Sequence, residues 1–378
     1  MIYFDNAATT FPKPACVRRG VDGYFSVYGA NPGRAGHEMA IKTAMEVYKT
    51  RELTAKLFHS NEPEQVVFAL NCTHALNLAI KGTVRQGGHV IISDMEHNSV
   101  LRTVHALSLE GKASYSIAET VPGNPRATVE AFEKLIQNNT QLICCIQGSN
   151  VFGTRLPVEQ LCALARAKGI PMLVDAAQTA GVLDINLTKT PYEFVAMAGH
   201  KGLYGPTGTG ILITSMGEQV EPLMHGGTGS NSVEPVQPDF MPDRLECGTV
   251  NTAGIVALGQ GVRHVLATGP SKIYAHELEI CKYLYRFLKN CRSAVLYTPE
   301  PEIGECLPVL SFNYGSLSGE ETAAKLAEKG FGLRGGLHCA PLAHKKIGTL
   351  ERGTARISPG CFNTMEQAEL LCRAIKSL

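Results

Sequence analysis

The sequence predicts an α/β protein, with a large domain around a mostly parallel β-sheet and a smaller α+β domain. Short apolar runs alternate with helix-like stretches through the first half of the 378 residues. Polar residues stand directly after several of these runs. Past Asn251 the pattern changes to long helices with a few short strands. Because ligands collect beyond the carboxyl ends of parallel strands, those polar residues are the candidates for a site.

The strand-like runs of the large domain are continuously apolar, which is typical of strands that are covered on both faces. Strands are predicted at residues 66–70, 89–93, 142–146, 171–174 and 194–198. Helices are predicted at residues 73–81, from about 97, and at 157–168. Thr73 is predicted to cap the first of these helices with its hydroxyl.

The C-terminal part of the chain predicts a different arrangement of elements. A helical region runs over residues 252–288 and is interrupted at Gly269-Pro270. Short strands near 307–312 and 331–334 flank a helix that begins near Glu320, and a last helix follows Asn363-Thr364. We predict a large α/β domain, which carries the candidate site, over residues 16–255 and a smaller α+β domain formed by residues 1–15 and 256–378.

Composition excludes several classes of function. The formal net charge of +1 gives no electrostatic reason to expect nucleic acid or membrane binding. We find no apolar run near the length of a membrane span and no secretory leader at the N-terminus. The twelve cysteines are scattered and form no CxxC pair, so we expect reduced thiols in the cytoplasm and no metal site.

Lys201 is the first residue that suggests a chemistry. It follows the apolar run 194–198 through Gly199 and His200, and glycines follow it. A lysine at the end of a buried strand is costly unless it is paired or reactive, although a surface lysine in a glycine-rich turn is the alternative. Asp175 ends another buried strand. A lysine that forms a Schiff base and an aspartate that keeps a pyridine nitrogen protonated together suit pyridoxal phosphate, whereas Asp175 alone would be a turn residue.

Eight sequence strings carry a family resemblance. They read, in chain order, DNAATT at Asp5, EHNSV at Glu96, SNVFGT at Ser149, VDAAQTAG at Val174, GHKGLYGPTGTG at Gly199, CGTVNT at Cys247, RGGLHCAP at Arg334 and ARISPGCFNT at Ala355. In this order they resemble the cysteine desulfurase group of the class V aminotransferases, which have the type I pyridoxal-phosphate fold. Each string alone is weak, but together they span nearly the whole chain.

The resemblance implies a set of pyridoxal-phosphate ligands, namely Thr73, His74, His97, Asp175, Gln178, His200, Lys201 and Thr249. It implies that Lys201 forms the Schiff base and that Asp175 pairs with the pyridinium nitrogen. His97 would stack on the ring and take part in catalysis, and Gln178 would hydrogen-bond the phenolic oxygen.

The resemblance also assigns the phosphate and the substrate. Thr73, His74 and His200 would hold the phosphate, and Thr249 would reach the phosphate of the other subunit in a homodimer. The residues implied for the substrate are Ala8, Asn150 and Arg356, with the arginine supplying a bidentate fork to the carboxylate.

Cys339 decides the reaction type. It lies in the glycine-flanked segment RGGLHCAP, where Arg334 and His338 would favour its thiolate. The alternative is a small buried thiol, which is the usual state of a free cysteine. The resemblance implies that Cys339 takes sulfur from L-cysteine as a persulfide and that L-alanine is released. It also implies a compact cysteine loop and a sulfur-acceptor protein, as in iron–sulfur cluster assembly.

Three positions depart from the family pattern. Ala198 stands where a serine or threonine often contacts the phosphate, so Thr228 or Ser230 could replace that contact. Gly202 lengthens the segment after Lys201, and Leu337 replaces a histidine before the cysteine. These departures leave open which sulfur substrate is preferred, but they do not change the predicted cofactor.

Four other functions are alternatives to a cysteine desulfurase. A selenocysteine lyase and a cysteine-sulfinate desulfinase differ from a cysteine desulfurase only in the group removed. An epimerase needs no thiol such as Cys339. A nucleotide-binding loop of the Walker type has its lysine after the glycines, whereas Lys201 precedes them.

Overall fold

The computed structural model describes residues 1–33, 36–60 and 62–378. Its strands are β1 (Ile2–Tyr3), β2 (Val66–Ala69), β3 (Gly88–Ser93), β4 (Ala113–Ala118), β5 (Thr140–Ile146), β6 (Met172–Asp175), β7 (Phe194–Ala198), β8 (Gly210–Thr214), β9 (Ala294–Leu296), β10 (Leu310–Tyr314), β11 (Phe331–Gly332), β12 (Arg334–Gly336) and β13 (Thr354–Ile357). Its α-helices are α1 (Ala15–Gly23), α2 (Glu38–Leu57), α3 (Cys72–Thr83), α4 (Asn98–Leu109), α5 (Pro125–Glu133), α6 (Val158–Ala167), α7 (Thr252–Thr268), α8 (Pro270–Lys289), α9 (Gly319–Glu328), α10 (Pro341–Ile347) and α11 (Met365–Lys376).

A seven-stranded sheet in the order β2-β8-β7-β6-β5-β3-β4 forms the centre of the molecule. The pairs from β7 through β6, β5 and β3 to β4 are parallel, and β8 runs antiparallel to both of its neighbours. Side chains alternate between two buried clusters along each strand; on β6, for example, Leu173 points to one face and Val174 to the other. Both faces are therefore covered, which explains the continuous apolar runs. The predicted α/β fold class is confirmed.

A second sheet and a short strand pair stand apart from the central sheet. Strands β12, β13, β10 and β9 form an antiparallel sheet in that order, and β1 pairs with β11 in parallel. Side chains of α8, α9 and α11 pack with this sheet in a cluster of their own around Phe312 and Leu371. The predicted boundary between residues 255 and 256 stays a prediction.

Most of the predicted elements are confirmed within a few residues, including the break between α7 and α8 at Gly269. Three details were wrong. Asn71 caps α3, because its Oδ1 accepts the N–H of His74 at 2.9 Å, and Thr73 lies already inside the helix. The strand predicted at 331–334 is split between β11 and β12, which belong to different sheets. The strand predicted near 307–312 begins only at Leu310.

The strands β4 and β8 were missed. β4 alternates between polar and apolar residues at the edge of the sheet, and β8 emerges directly from a glycine-rich segment. Among the residues that the structure describes, none of the helices combines the length and apolar character that a bilayer crossing requires.

Candidate active site

A cavity of about 210 Å³ lies at the carboxyl ends of the parallel strands. The predicted site residues that line it are Ala8, Thr73, His97, Asn150, Asp175, Gln178, His200, Lys201, Cys339 and Arg356. They come from both sheets and from the N-terminal segment. The fold thus brings together residues that are more than 300 positions apart in the chain, such as Ala8 and Arg356.

Lys201 and Asp175 form the charged centre of the cavity. Asp175 is the last residue of β6, and its Oδ1 accepts the N–H of Ala177 at 2.9 Å. Burial raises the pKa of Asp175, while this hydrogen bond and the charge of Lys201 oppose the rise. Burial also lowers the pKa of Lys201, against the attraction of Cys72 and Asp175. A lysine whose pKa is lowered loses its proton more readily, and the neutral amine is the form that attacks an aldehyde.

Two histidines of the cavity are held neutral. Burial lowers the pKa of His97 to about 4, with help from the charge of Lys201. Because Nδ1 of His97 accepts the N–H of Ser99 at 3.1 Å, the ring caps α4 and carries its proton on Nε2. Burial lowers the pKa of His200 to about 4 as well, again with help from Lys201. Both rings are therefore uncharged at pH 7.

The N-terminal segment closes one side of the cavity. The amide of Gln178 donates to the carbonyl of Ala7 at 3.0 Å. The backbone N–H and the hydroxyl of Thr10 both donate to the carbonyl of His200, each at 3.2 Å. The small residues after Asp5 therefore let this backbone lie against the turn that carries Lys201.

Arg356 is held rigidly on β13 with only 2% of its surface exposed. Its Nη2 donates to Asp5 Oδ1 at 2.6 Å, and its Nη1 donates to the carbonyl of Asn150 at 2.9 Å. Within the described part of the chain, Nε of Arg356 and Oδ1 of Asn150 are buried without hydrogen-bond partners. These atoms keep donor and acceptor capacity for a ligand.

Cys339 lies in the turn between β12 and α10, where its side chain is exposed beside the cavity. Asn150 Nδ2 donates to the carbonyl of His338 at 2.7 Å, and the N–H of Asn98 donates to the carbonyl of Cys339 at 2.7 Å. The expectation that Cys339 is more than a small buried thiol is consistent with this exposure. The idea that His338 favours the thiolate by its charge was wrong, because burial lowers the pKa of His338 to about 2.

Two predicted cofactor ligands do not line the cavity in this chain. Nδ1 of His74 accepts the N–H of Leu70 at 3.2 Å, so its ring braces the turn before α3. Thr249 is exposed outside the cavity. Thr228 and Ser230, proposed as replacements for the contact at Ala198, hydrogen-bond each other at 2.7 Å and also do not line it. The roles of these residues stay predictions.

Cys72 is a cavity residue that the sequence reasoning missed. It is the first residue of α3, and its Sγ lies 3.7 Å from Oδ1 of Asp175. Its position directly before Thr73, at the start of the helix after β2, was the available signal. A thiol at this point touches the carboxylate that defines the site.

Gly202 is explained by packing. A Cβ on this residue would lie 2.3 Å from the carbonyl oxygen of Ala180, and one on Gly181 would lie 2.1 Å from the carbonyl oxygen of Gly202. The two backbones therefore touch without side chains between them. Gly202 therefore leaves no room for a side chain at this point after Lys201, and Ala198 lines the cavity.

The fold and the site define a class of protein, namely α/β enzymes that hold pyridoxal phosphate between a lysine of the cavity and a buried aspartate. The family model of the class V aminotransferases matches residues 2–371, so the chain belongs to that family. Enzymes of this family depend on pyridoxal phosphate.

Several relatives and solved structures are similar over the full chain. A probable cysteine desulfurase of Methanothermobacter thermautotrophicus is 30% identical, with 100% of this chain and 94% of the relative covered. A cysteine desulfurase of Yersinia pseudotuberculosis is 28% identical, with 100% and 93% covered. The apo structure of a cysteine desulfurase from Thermococcus onnurineus superimposes with a TM-score of 0.90 at 29% identity, with 100% of this chain and 95% of that chain covered.

The residues present fit the cofactor. Lys201 supplies an amine and Asp175 supplies a buried carboxyl group in one cavity. The N-terminus of α3 at Cys72 and Thr73 lies at the same cavity, where backbone N–H groups attract a phosphate. Among the described residues, Nδ1 of His200 is a buried polar atom without a partner. A polar ligand with a phosphate matches these features.

Proposed function

We propose that this enzyme is a cysteine desulfurase that converts L-cysteine to L-alanine and keeps the sulfur on Cys339 as a persulfide. The observation that supports this proposal most strongly is that an exposed cysteine, on a turn held by two hydrogen bonds, lines the same cavity as Lys201. The names of the relatives described above support the same reaction.

Most of the site is proposed to hold the cofactor. Lys201 would bind it covalently, Asp175 would face its ring nitrogen, His97 would cover its ring and Gln178 would face its phenolic oxygen. When bound, pyridoxal phosphate supplies an electron sink for bond breaking in the substrate. The neutral His97 can donate a hydrogen bond from Nε2, since its Nδ1 is occupied by Ser99.

The substrate carboxylate is proposed to lie against Arg356 and Asn150. Arg356 is already oriented by Asp5, so little conformational entropy is lost when it binds an anion. Lys201 Nζ is proposed to move the substrate proton, because it lines the cavity and because burial lowers its pKa, which makes the ammonium release its proton more readily.

In the sulfur-transfer step, Cys339 Sγ forms an S–S bond with the substrate sulfur while the carbon–sulfur bond of the substrate breaks. The electron pair of that bond stays with the carbon, which then takes up a proton. One L-cysteine and the Cys339 thiol thus give one L-alanine and one Cys339 persulfide. We propose that a thiol of a small acceptor protein then removes the sulfur in the cytoplasm.

The enzyme is proposed to act as a homodimer, with Thr249 completing the phosphate site of the partner subunit. Its exposure outside the cavity of its own chain supports this placement. Analytical ultracentrifugation of Thr249→Ala and wild type, followed by cofactor titration of both, tests it. Weaker cofactor binding by a variant that remains dimeric is expected, and equal binding would contradict the role of Thr249.

The function is tested by Cys339→Ala and Cys339→Ser. Both should keep the visible absorbance band of the bound cofactor and lose alanine and sulfide production from L-cysteine. The assay should include selenocysteine and cysteine sulfinate, since these substrates separate the alternatives. Full desulfurase turnover in either variant would remove Cys339 from the mechanism, and turnover with cysteine sulfinate alone would replace the proposed substrate.

The cofactor anchor is tested by Lys201→Ala, which should abolish the visible band that borohydride removes in the wild-type enzyme. Lys13→Ala is the matched control, because Lys13 is partly buried and bonds the carbonyl of His200 at 2.7 Å but does not line the cavity. A normal visible band in Lys201→Ala would show that another group binds the cofactor.

A further inference from the structure

The turn that carries Cys339 has an unusual backbone. His338 and Cys339 have φ values of 50° and 57°, so two consecutive residues with side chains lie in the left-handed region. This region favours glycine, and other residues stay in it only when their surroundings hold them there. The turn is therefore a strained conformation that other contacts must stabilise.

Part of this stabilisation comes from the two carbonyl groups of the turn. The carbonyl of His338 accepts from Asn150 Nδ2, and the carbonyl of Cys339 accepts from the N–H of Asn98, both at 2.7 Å. Asn98 is the first residue of α4 and follows His97, so the turn is bonded directly to the helix that His97 caps. These bonds fix the backbone but leave the side chain of His338 unconstrained.

A stack of rings holds that side chain. The imidazole of His338 is 5% exposed and lies parallel to that of His344, with 5.8 Å between centroids and 14° between planes. The ring of His344 also meets the ring of Phe152, with 5.5 Å between centroids and 58° between planes. Nε2 of His338 also faces the carbonyl of Arg334 at 3.3 Å. The stack therefore runs from the core, through His344, to the residue next to Cys339.

His344 is itself firmly placed. Its side chain is fully buried, and its Nδ1 lies 2.8 Å from Oγ1 of Thr349, just beyond the end of α10. Two residues later, Nζ of Lys346 lies 2.6 Å from Oδ2 of Asp94, which follows β3. Helix α10 is thus tied to the central sheet at the end where the cavity opens. A helix held in this way can transmit its position to the turn that precedes it.

We propose that His344 is a positioning residue, whose ring clamps His338 and so keeps Cys339 in its left-handed, cavity-facing conformation. The inference rests on the proposed role of Cys339 as the sulfur-accepting nucleophile. His344 does not line the cavity in which substrate and cofactor are proposed to bind. Its contribution is to keep the competent conformation of the turn populated before the substrate arrives.

The test compares His344→Leu, which removes the ring, with His344→Phe, which retains a flat ring. The matched control is His89→Leu, because His89 is also buried but lies at the opposite end of β3, between Thr140 and Ser116. Steady-state kinetics with L-cysteine give kcat and KM. Hydrogen–deuterium exchange of the peptides that contain Asn98 and Ala340 reports opening of the turn, because their N–H groups bond the carbonyls of Cys339 and Leu337.

We expect His344→Leu to lower kcat about tenfold with KM unchanged. We also expect it to speed exchange in both peptides about tenfold, because without the ring the turn leaves its strained conformation more often. The visible band of the cofactor should stay unchanged. His344→Phe should recover most of both losses, and His89→Leu should show neither.

Wild-type kcat and exchange rates in His344→Leu would overturn the proposal, and so would equal losses in His89→Leu. The exchange measurement needs no turnover. The wild-type enzyme could fail to convert L-cysteine while exchange is still faster in His344→Leu than in His344→Phe. In that case the proposed function is wrong, but the positioning role of His344 is supported.

Discussion

The buried carboxyl of Glu96 should make the free energy of unfolding depend on pH, and this dependence can be measured. Its carboxyl is fully buried, with Oε1 accepting from Ser93 Oγ at 2.5 Å and from the N–H of Ile146 at 2.8 Å. Oε2 has no hydrogen-bond partner among the residues that the structure describes. Burial outweighs the two hydrogen bonds and raises the pKa of Glu96 from 4.5 to about 8. The folded protein therefore holds this carboxyl protonated at neutral pH.

The size of the effect follows from proton linkage. Between pH 4.5 and about 8 the folded state binds a proton at Glu96 that the unfolded state has lost, so the free energy of unfolding falls as the pH rises through this interval. At roughly 1.4 kcal/mol for each pKa unit, the free energy of unfolding is lower by about 5 kcal/mol above pH 8 than below pH 4.5. Below pH 4.5 both states bind the proton, and the loss disappears.

The perturbation is Glu96→Gln, which retains the shape and the acceptor oxygen but cannot ionise. Equilibrium urea denaturation, followed by circular dichroism at one fixed cofactor concentration, should give equal stabilities at pH 5 within about 1 kcal/mol. At pH 9 the variant should be more stable than wild type by about 5 kcal/mol. Glu328→Gln, at an exposed position in α9, is the control and should change neither value.

A difference between wild type and Glu96→Gln that is the same at pH 5 and pH 9 would refute the reasoning. It would mean that the carboxylate is stabilised in the folded state by a charge or a donor that the described contacts do not provide.

Three further predictions concern neighbouring features. Glu277→Gln should also stabilise the protein more at pH 9 than at pH 5, because burial raises the pKa of Glu277 to about 8, and a pH-independent change would contradict this. Gly202→Ala should lower the melting temperature and the cofactor occupancy, since the new methyl group would meet the carbonyl of Ala180, and a wild-type melting curve would show that the turn can relax. Arg356→Lys should raise KM for L-cysteine at least tenfold, because one ammonium cannot replace a fork that bonds both Asp5 and Asn150, and an unchanged KM would place the carboxylate elsewhere.

Local patterns predicted the central sheet well and its edges less well. The buried strands β3, β5, β6 and β7 carry apolar runs that only a doubly covered sheet explains, so they could be placed from the sequence. The missed strand β4 lacks such a run, and β8 follows a glycine-rich segment. Each is held in the sheet by pairing with a neighbouring strand, β4 with β3 and β8 with β7, which local residues do not indicate. The cap of α3 was misplaced because Asn71 and Thr73 are both suitable residues, and only the backbone start of the helix decides between them.

The sequence by itself was enough to predict the fold class and the family correctly, because its motifs span nearly the whole chain. It also suggested the proposed site, in which Lys201 and Asp175 serve the cofactor and Cys339 accepts sulfur. Tertiary structure decided which candidates share a cavity and which, like His74, brace a turn instead. It alone revealed the neutral state of His338 and its stack on His344. Burial and ring contacts depend on residues that are distant in the chain, and no local pattern records them.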